Sequence, residues 1–185
     1  MKAIVFGASG SGTTTLARSL AEEMGWPHLD SDDYYWKKTD PPYQEPYSSV
    51  ERQANIRHDF EAVPNLVLSG GVIGWNAHWM TAFDLAIFLR IPPHIRMHRL
   101  RQRELERYGQ RWQTDPIIRE TSAEFLEWAQ QYDNPDFDDK DISLHLRWLE
   151  ELSCPCLRLE GDLSNEERVR LAVEKITSSS FPFSS

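Results

Sequence analysis

At 185 residues the chain is long enough for one domain with a proper hydrophobic core and too short for two of ordinary size. With 40% hydrophobic and 26% charged residues it reads as globular, which sets aside disorder and fibrous repeats. A net charge of -9 speaks against nucleic-acid binding, whose affinity comes from an excess of Lys and Arg; no window is apolar for long enough to cross a bilayer, and Met1 leads into a strand-like run instead of a signal core, so a cytoplasmic protein is expected.

Residues 2–6 are a short apolar run with β-branched members, ended by Gly7, and predict a strand. Residues 13–24 carry Leu16, Ala17, Leu20 and Met24 at helical spacing, and Gly25 stops that helix. A brief strand follows at 27–30, and 31–48, rich in Pro, Tyr and Asp without a steady period, reads as a long working loop. Next come a helix over 50–62 ended by Pro64, a buried strand over 66–69, and a tight turn at Gly70, Gly71 and Gly74. A second buried strand at 85–89 leads through Pro92 and Pro93 into a strongly charged helix over 95–108. Residues 109–114 break the pattern. Asp115 caps a helix with Pro116 at its first position, running to Gln131 and stopped by Asn134 and Pro135. A helix over 142–152 and a strand over 156–159 follow, and Ser164 with Glu167 has the reciprocal capping spacing that opens a final helix to about 176.

Strands that alternate with helices and are nearly all apolar predict a three-layer α/β/α fold with about five parallel strands and ligands gathered at their carboxyl ends. The helical stretch 96–152 is where a lid would be inserted, at about 104–140. The expected organisation is one domain over 1–178 and a flexible tail over 179–185. Cys154 and Cys156 read as small apolar residues opening a core strand, and the six histidines lack paired ligand spacing, so neither group suggests a metal or redox centre.

Residues Gly7-Ala8-Ser9-Gly10-Ser11-Gly12-Thr13-Thr14 fit the spacing of a phosphate-binding loop, with Thr13 where lysine is expected. Glycines let successive N–H groups converge on phosphates, and the following helix aims its positive end at the same place. Thr14 occupies the hydroxyl position that holds Mg²⁺, whereas the missing lysine removes a point charge from the terminal phosphates. The predicted nucleotide contacts are Gly7, Ser9, Gly10, Ser11, Gly12, Thr13, Thr14 and Thr15.

These stretches, together with residues 30–36, 68–75, 96–109 and 157–162, resemble the small P-loop kinases of the nucleoside-monophosphate and shikimate kinase type, in a lysine-less branch of adenylate-kinase-related or AAA-family ATP-binding proteins. The resemblance implies a P-loop NTPase fold, ATP and Mg²⁺ as cofactors, and a small-molecule acceptor. It implies that Asp30 supports the metal with Thr14, and that Asp32 faces the acceptor hydroxyl and takes its proton. It also implies that Gly70 and Gly71 close against the acceptor and that Arg52 anchors an anionic group on it. Arg96, Arg99, Arg103 and Arg107 recur at spacings of three and four and form one basic stripe; of these, Arg103 and Arg107 are expected to stabilise the moving phosphoryl group from the lid. A nucleotide-binding sensor and a simple nucleoside triphosphatase remain as alternatives. The sequence does not fix the acceptor, the choice of ATP over GTP, or the oligomeric state.

Overall fold

The computed structural model describes residues 1–134, 136–137 and 141–179. Five strands, β1 (Lys2–Gly7), β2 (His28–Asp30), β3 (Leu66–Ser69), β4 (Leu85–Arg90) and β5 (Cys156–Glu160), form one parallel sheet in the order β2-β3-β1-β4-β5. Alternate residues serve opposite faces, as the period of two in a strand requires. Ile4, Phe6, Leu68 and Phe88 pack with Ile56 and Phe60 of α3 (Ser49–Glu61) and Trp148 of α7 (Ile142–Glu151). Ala3, Val5, Ile87 and Leu89 pack with Leu16 and Leu20 of α1 (Thr13–Met24) and with Ala172 and Ile176 of α8 (Asn165–Ser179). The predicted three-layer parallel architecture is the one observed, because the inner strands β1, β3 and β4 bury side chains on both faces.

The remaining helices are α2 (Ser31–Tyr35), α4 (Pro93–Tyr108), α5 (Arg111–Thr114) and α6 (Pro116–Gln130). Two of them fall where irregular chain was expected. The Asp30 carboxylate accepts from Asp32 N at 3.1 Å and so starts α2 inside the stretch taken for a working loop. Helix α5 occupies part of the predicted break at 109–114, and a 3-10 helix over Ala77–Met80 was not anticipated. Here Asn76 accepts from His78 N at 2.9 Å, and the turn drives Trp79 into the core between Phe60 and Phe83. Pro116 does sit at the start of α6, with Asp115 capping Ile117 N and Ile118 N, and the Ser164–Glu167 capping box opens α8. Helix α8 reaches Ser179, one residue into the stretch assigned to a tail; residues 180–185, and Pro135 as a helix stop, lie outside the described residues.

β1 is central, so its carboxyl end opens into the middle of one sheet edge. The phosphate loop leaves from there, with β2 and β3 ending on one side and β4 on the other. The loop can thus face acidic and glycine turns on the first side and α4 on the second.

Candidate functional site

Gly7 ends β1 so closely against β4 that a methyl group there would land on the Leu89 carbonyl. Gly10 (φ +82) and Gly12 (φ +92) adopt left-handed conformations that only glycine enters without strain. At Gly10 a methyl would lie 2.9 Å from the Arg96 carbonyl and 2.9 Å from Leu100 Cγ, so α4 packs directly on the loop. Ser11 N donates to Ala8 O at 3.0 Å and closes the turn. Gly12 stands at the N-cap of α1 with no side chain capping it, which leaves the first N–H groups of α1 available to an anion.

Two arginines that sequence reasoning did not assign to the loop brace it through its carbonyls. Arg96, 1% exposed, donates from Nη1 to Ser9 O at 3.0 Å and from Nη2 to Asp133 at 3.1 Å, with its guanidinium over the Tyr132 ring. Arg168, in the first turns of α8, donates from Nη1 to Ser11 O at 3.2 Å. With these carbonyls engaged, the loop presents its N–H side to the cleft. The signal for Arg168 was present in the sequence: it lies at four-residue spacing from the core residues Ala172 and Ile176, hence on the buried stripe of its helix.

A cleft of about 1830 Å³ opens over the loop. Single-ligand pockets are on the order of 300–1,000 Å³, so it has room for a nucleotide and a second molecule. Every member of the loop lines it except Ser11, whose side chain is fully buried; the exposed Thr15 stands at its edge. Thr14 Oγ1 donates to Asp30 Oδ2 at 2.9 Å, joining the loop to the end of β2. Asp30 therefore does two things: one oxygen caps α2 and the other holds Thr14. The exposed Asp32 and Asp33 line the cleft one turn further on.

The glycine turn after β3 differs from expectation in what it approaches. At Gly70 (φ +94) an added methyl would land on Ser31 Oγ, which also accepts from Gly71 N at 3.1 Å. The close approach is thus made by the chain's own Ser31, and open space lies beside Gly71 on the cleft wall. Arg52 is also placed differently. Its guanidinium stacks 4.8 Å from the Tyr35 ring centre and 5.1 Å from that of Trp75, and it is these aromatic rings that line the cleft. Its attraction to two ring faces outweighs exposure on the helix surface.

On the opposite wall, α4 offers Arg99, Arg103 and Arg107. Glu104, 2% exposed, organises the last two: it accepts from Arg107 Nη1 at 2.9 Å, from Ser122 Oγ of α6 at 2.8 Å, and stands 3.9 Å from Arg103 Nε. Burial, and then the neighbouring Arg107, pull the Arg103 pKa down. Arg107 also lies over Tyr43, and Arg111 pairs with Asp40 at 2.9 Å, so α4 and α5 meet the 36–47 segment across the cleft. Arg99 pairs with Asp162 in the turn after β5 at 2.8 Å.

Cys154 and Cys156 pack against the core, and burial pushes the Cys156 thiol up to about 11, in keeping with an inert role. Among the described residues no group of three or more His, Cys, Asp or Glu could hold a metal, and no helix is long and apolar enough to cross a membrane.

A glycine loop at the carboxyl end of a central parallel strand, a threonine tied to the carboxylate at the end of the next, and arginines from a helix across the cleft define a P-loop domain of the small-kinase type, here without the loop lysine. The chain belongs to the AAA domain family, which matches residues 4–127. It is 39% identical to the uncharacterized protein YqaC of Bacillus subtilis over 94% of this chain and 96% of that one. It is 32% identical to a cytidylate kinase of Pyrococcus furiosus, a match covering 54% of this chain and only 56% of the relative. Shikimate kinase from Acinetobacter baumannii in complex with shikimate has the same fold, with a TM-score of 0.58 at 16% identity over 98% of this chain and 95% of that one.

Proposed function

We propose that the chain is a Mg²⁺- and ATP-dependent kinase that transfers the γ-phosphoryl group to a hydroxyl or phosphate of a small acceptor. The observation that carries this reading is the single cleft in which the phosphate loop, the Thr14–Asp30 pair, Asp32 and the α4 arginines face one another. The cytidylate kinase relative and the shikimate kinase fold support the same reaction class.

Thr14 Oγ1 and Asp30 Oδ2 are hard oxygen donors 2.9 Å apart at the loop mouth, a set that suits Mg²⁺, which takes one or two protein oxygens and completes its shell with water and phosphate. Bound there, Mg²⁺ would neutralise charge between the terminal phosphates. The loop N–H groups and the first turn of α1 bind the phosphates and orient them in line with the acceptor. As the acceptor oxygen forms its bond to the γ-phosphorus, the bond to the β–γ bridging oxygen breaks, and Asp32 accepts the proton when the acceptor is a hydroxyl. Arg103 and Arg107 stabilise the equatorial oxygens as the lid, at about 104–140, closes over a domain spanning 1–178 and excludes water. The expected setting is the cytoplasm.

A second reading, a nucleotide sensor, is favoured by two features: Thr13 brings no charge to the loop, and Arg107 is already paired with Glu104. ADP release measured with Mg·ATP over nucleoside monophosphates, sugars and hydroxy acids decides between them. Acceptor-dependent release is expected; acceptor-independent release would mark a triphosphatase, and a nucleotide-induced rise in melting temperature with no release would mark a sensor.

A further inference from the structure

A phosphate loop without its lysine needs another cation to match a polyphosphate. One arginine that touches the loop beside the vacated position lies on α8 and not on α4. Arg168 sits in the first turns of α8 and is 4% exposed, yet it lines the cleft. Its Nη1 bonds Ser11 O, two residues before Thr13, and lies 3.3 Å from where a Cβ on Gly12 would stand. Its Nη2 is buried and has no hydrogen-bond partner among the described residues.

The guanidinium is also only partly compensated: burial and Arg99 oppose its charge, while Asp162 attracts it. It forms no salt bridge among the described residues; the carboxylate facing it, Asp162, is taken by Arg99 at 2.8 Å, and Arg99 itself adds like charge. A buried cation with an unpaired N–H group and only a shared counter-ion carries a desolvation cost, which an anion would relieve. Arg99 and Arg168 against the one carboxylate of Asp162 leave a net positive charge beside a loop of N–H donors, a field that favours several negative charges over one.

Arg168 is held rigidly enough to serve. The capping box of Ser164 and Glu167 fixes the start of α8, Asn165 Nδ2 donates to Ser19 Oγ of α1 at 2.9 Å, and Ala172 and Ile176 lock the helix onto α1. The helix that follows the loop and the helix that carries the cation are therefore packed and hydrogen-bonded to each other.

We infer that Arg168 is a phosphate-binding residue, its free guanidinium edge taking an oxygen of the bound polyphosphate and supplying from α8 the charge that Thr13 lacks. The inference rests on the nucleotide-binding reading above and adds a residue to it. It requires that the contribution of Arg168 grow with the number of phosphates on the ligand, since charge-assisted bonds to phosphate are absent from the base and the ribose.

Calorimetric titration of the full chain and of Arg168→Gln with Mg·ATP, Mg·ADP and AMP tests this. The expected result is a loss of about 10- to 100-fold for ATP, a smaller loss for ADP and less than about twofold for AMP. The ligand-free melting temperature of the variant should be nearly unchanged, because removal of a buried charge offsets the lost bond to Ser11 O; a large fall would mark Arg168 as a brace of the loop alone and overturn the assignment. Arg168→Lys, which keeps the charge and loses the fork, should retain the ATP-over-AMP preference with an intermediate loss. Equal losses for all three nucleotides, or no loss, would overturn the assignment while leaving nucleotide binding intact. Failure of the unmodified chain to bind any of the three would remove the function proposed above as well.

Discussion

Replacing Gly10 by Ala should damage both the fold and the phosphate loop, and the size of the effect follows from its surroundings. The residue has φ +82, where an L side chain costs ~1–2 kcal/mol. The new methyl would also meet the Arg96 carbonyl and Leu100 Cγ, each at 2.9 Å, and overpacking of this kind costs ~1–3 kcal/mol. The Arg96 carbonyl is in the first turn of α4 and cannot rotate away alone, so loop and helix must separate. Against these costs the stiffer unfolded chain returns ~0.4–1 kcal/mol, leaving a net loss of ~1–5 kcal/mol. Gly25→Ala is the control, since Gly25 has φ +64 with nothing within 4 Å of an added methyl. Urea unfolding of the two variants should differ by ~1–3 kcal/mol, and Gly10→Ala alone should weaken Mg·ATP binding. Equal destabilisation of the two would refute the claim that α4 packs on the loop.

Asp32→Asn should lower acceptor-dependent ADP release by ~10²–10⁴-fold with little change in ATP affinity, as loss of a general base does; unchanged turnover in a kinetic assay would exclude that role. Glu104→Ala removes the buried partner of Arg107, and urea unfolding should register a loss of about 3 kcal/mol, at the low end for a broken buried pair because Arg107 is 25% exposed; a loss under about 1 kcal/mol would show that solvent carries the charge instead. Cys156, with its thiol pushed up to about 11, should react with iodoacetamide at pH 8.5 about a hundredfold more slowly than a free cysteine; mass spectrometry would reveal a comparable rate if the site is open. Burial lowers the His28 pKa, so below pH 6.5 the unfolded chain binds the proton first. Stability should therefore fall as pH drops from 6.5 toward the folded-state value, and His28→Gln should flatten that slope in unfolding titrations; an unchanged slope would acquit His28.

The sheet and the long helices were legible because their signals are local. Four consecutive buried residues in β1 and the Leu16, Ala17 and Leu20 spacing in α1 mark burial whatever packs on them. The phosphate loop was legible for the same reason, being a contiguous string of glycines and hydroxyls between those two elements. Contacts between distant segments were not. Arg96 was visible only as one member of a basic stripe, although its partner is a carbonyl 87 positions earlier. Arg52 was matched by position to an acceptor anchor, but Tyr35 and Trp75 arrive from other elements to pack against its guanidinium. Gly70 and Gly71 were expected to close against the acceptor; the group that Gly70 approaches, Ser31, belongs to a five-residue helix too short to show a period.

The bond between Arg168 and Ser11 joins positions 157 residues apart. During synthesis the first strand, loop and helix leave the ribosome long before α8, so the loop lacks its second arginine until almost the whole chain has been made. The brace on Ser11 is in this way a property of the finished polypeptide, and a fragment ending before α8 would carry the full glycine motif with only the support of Arg96 and α4.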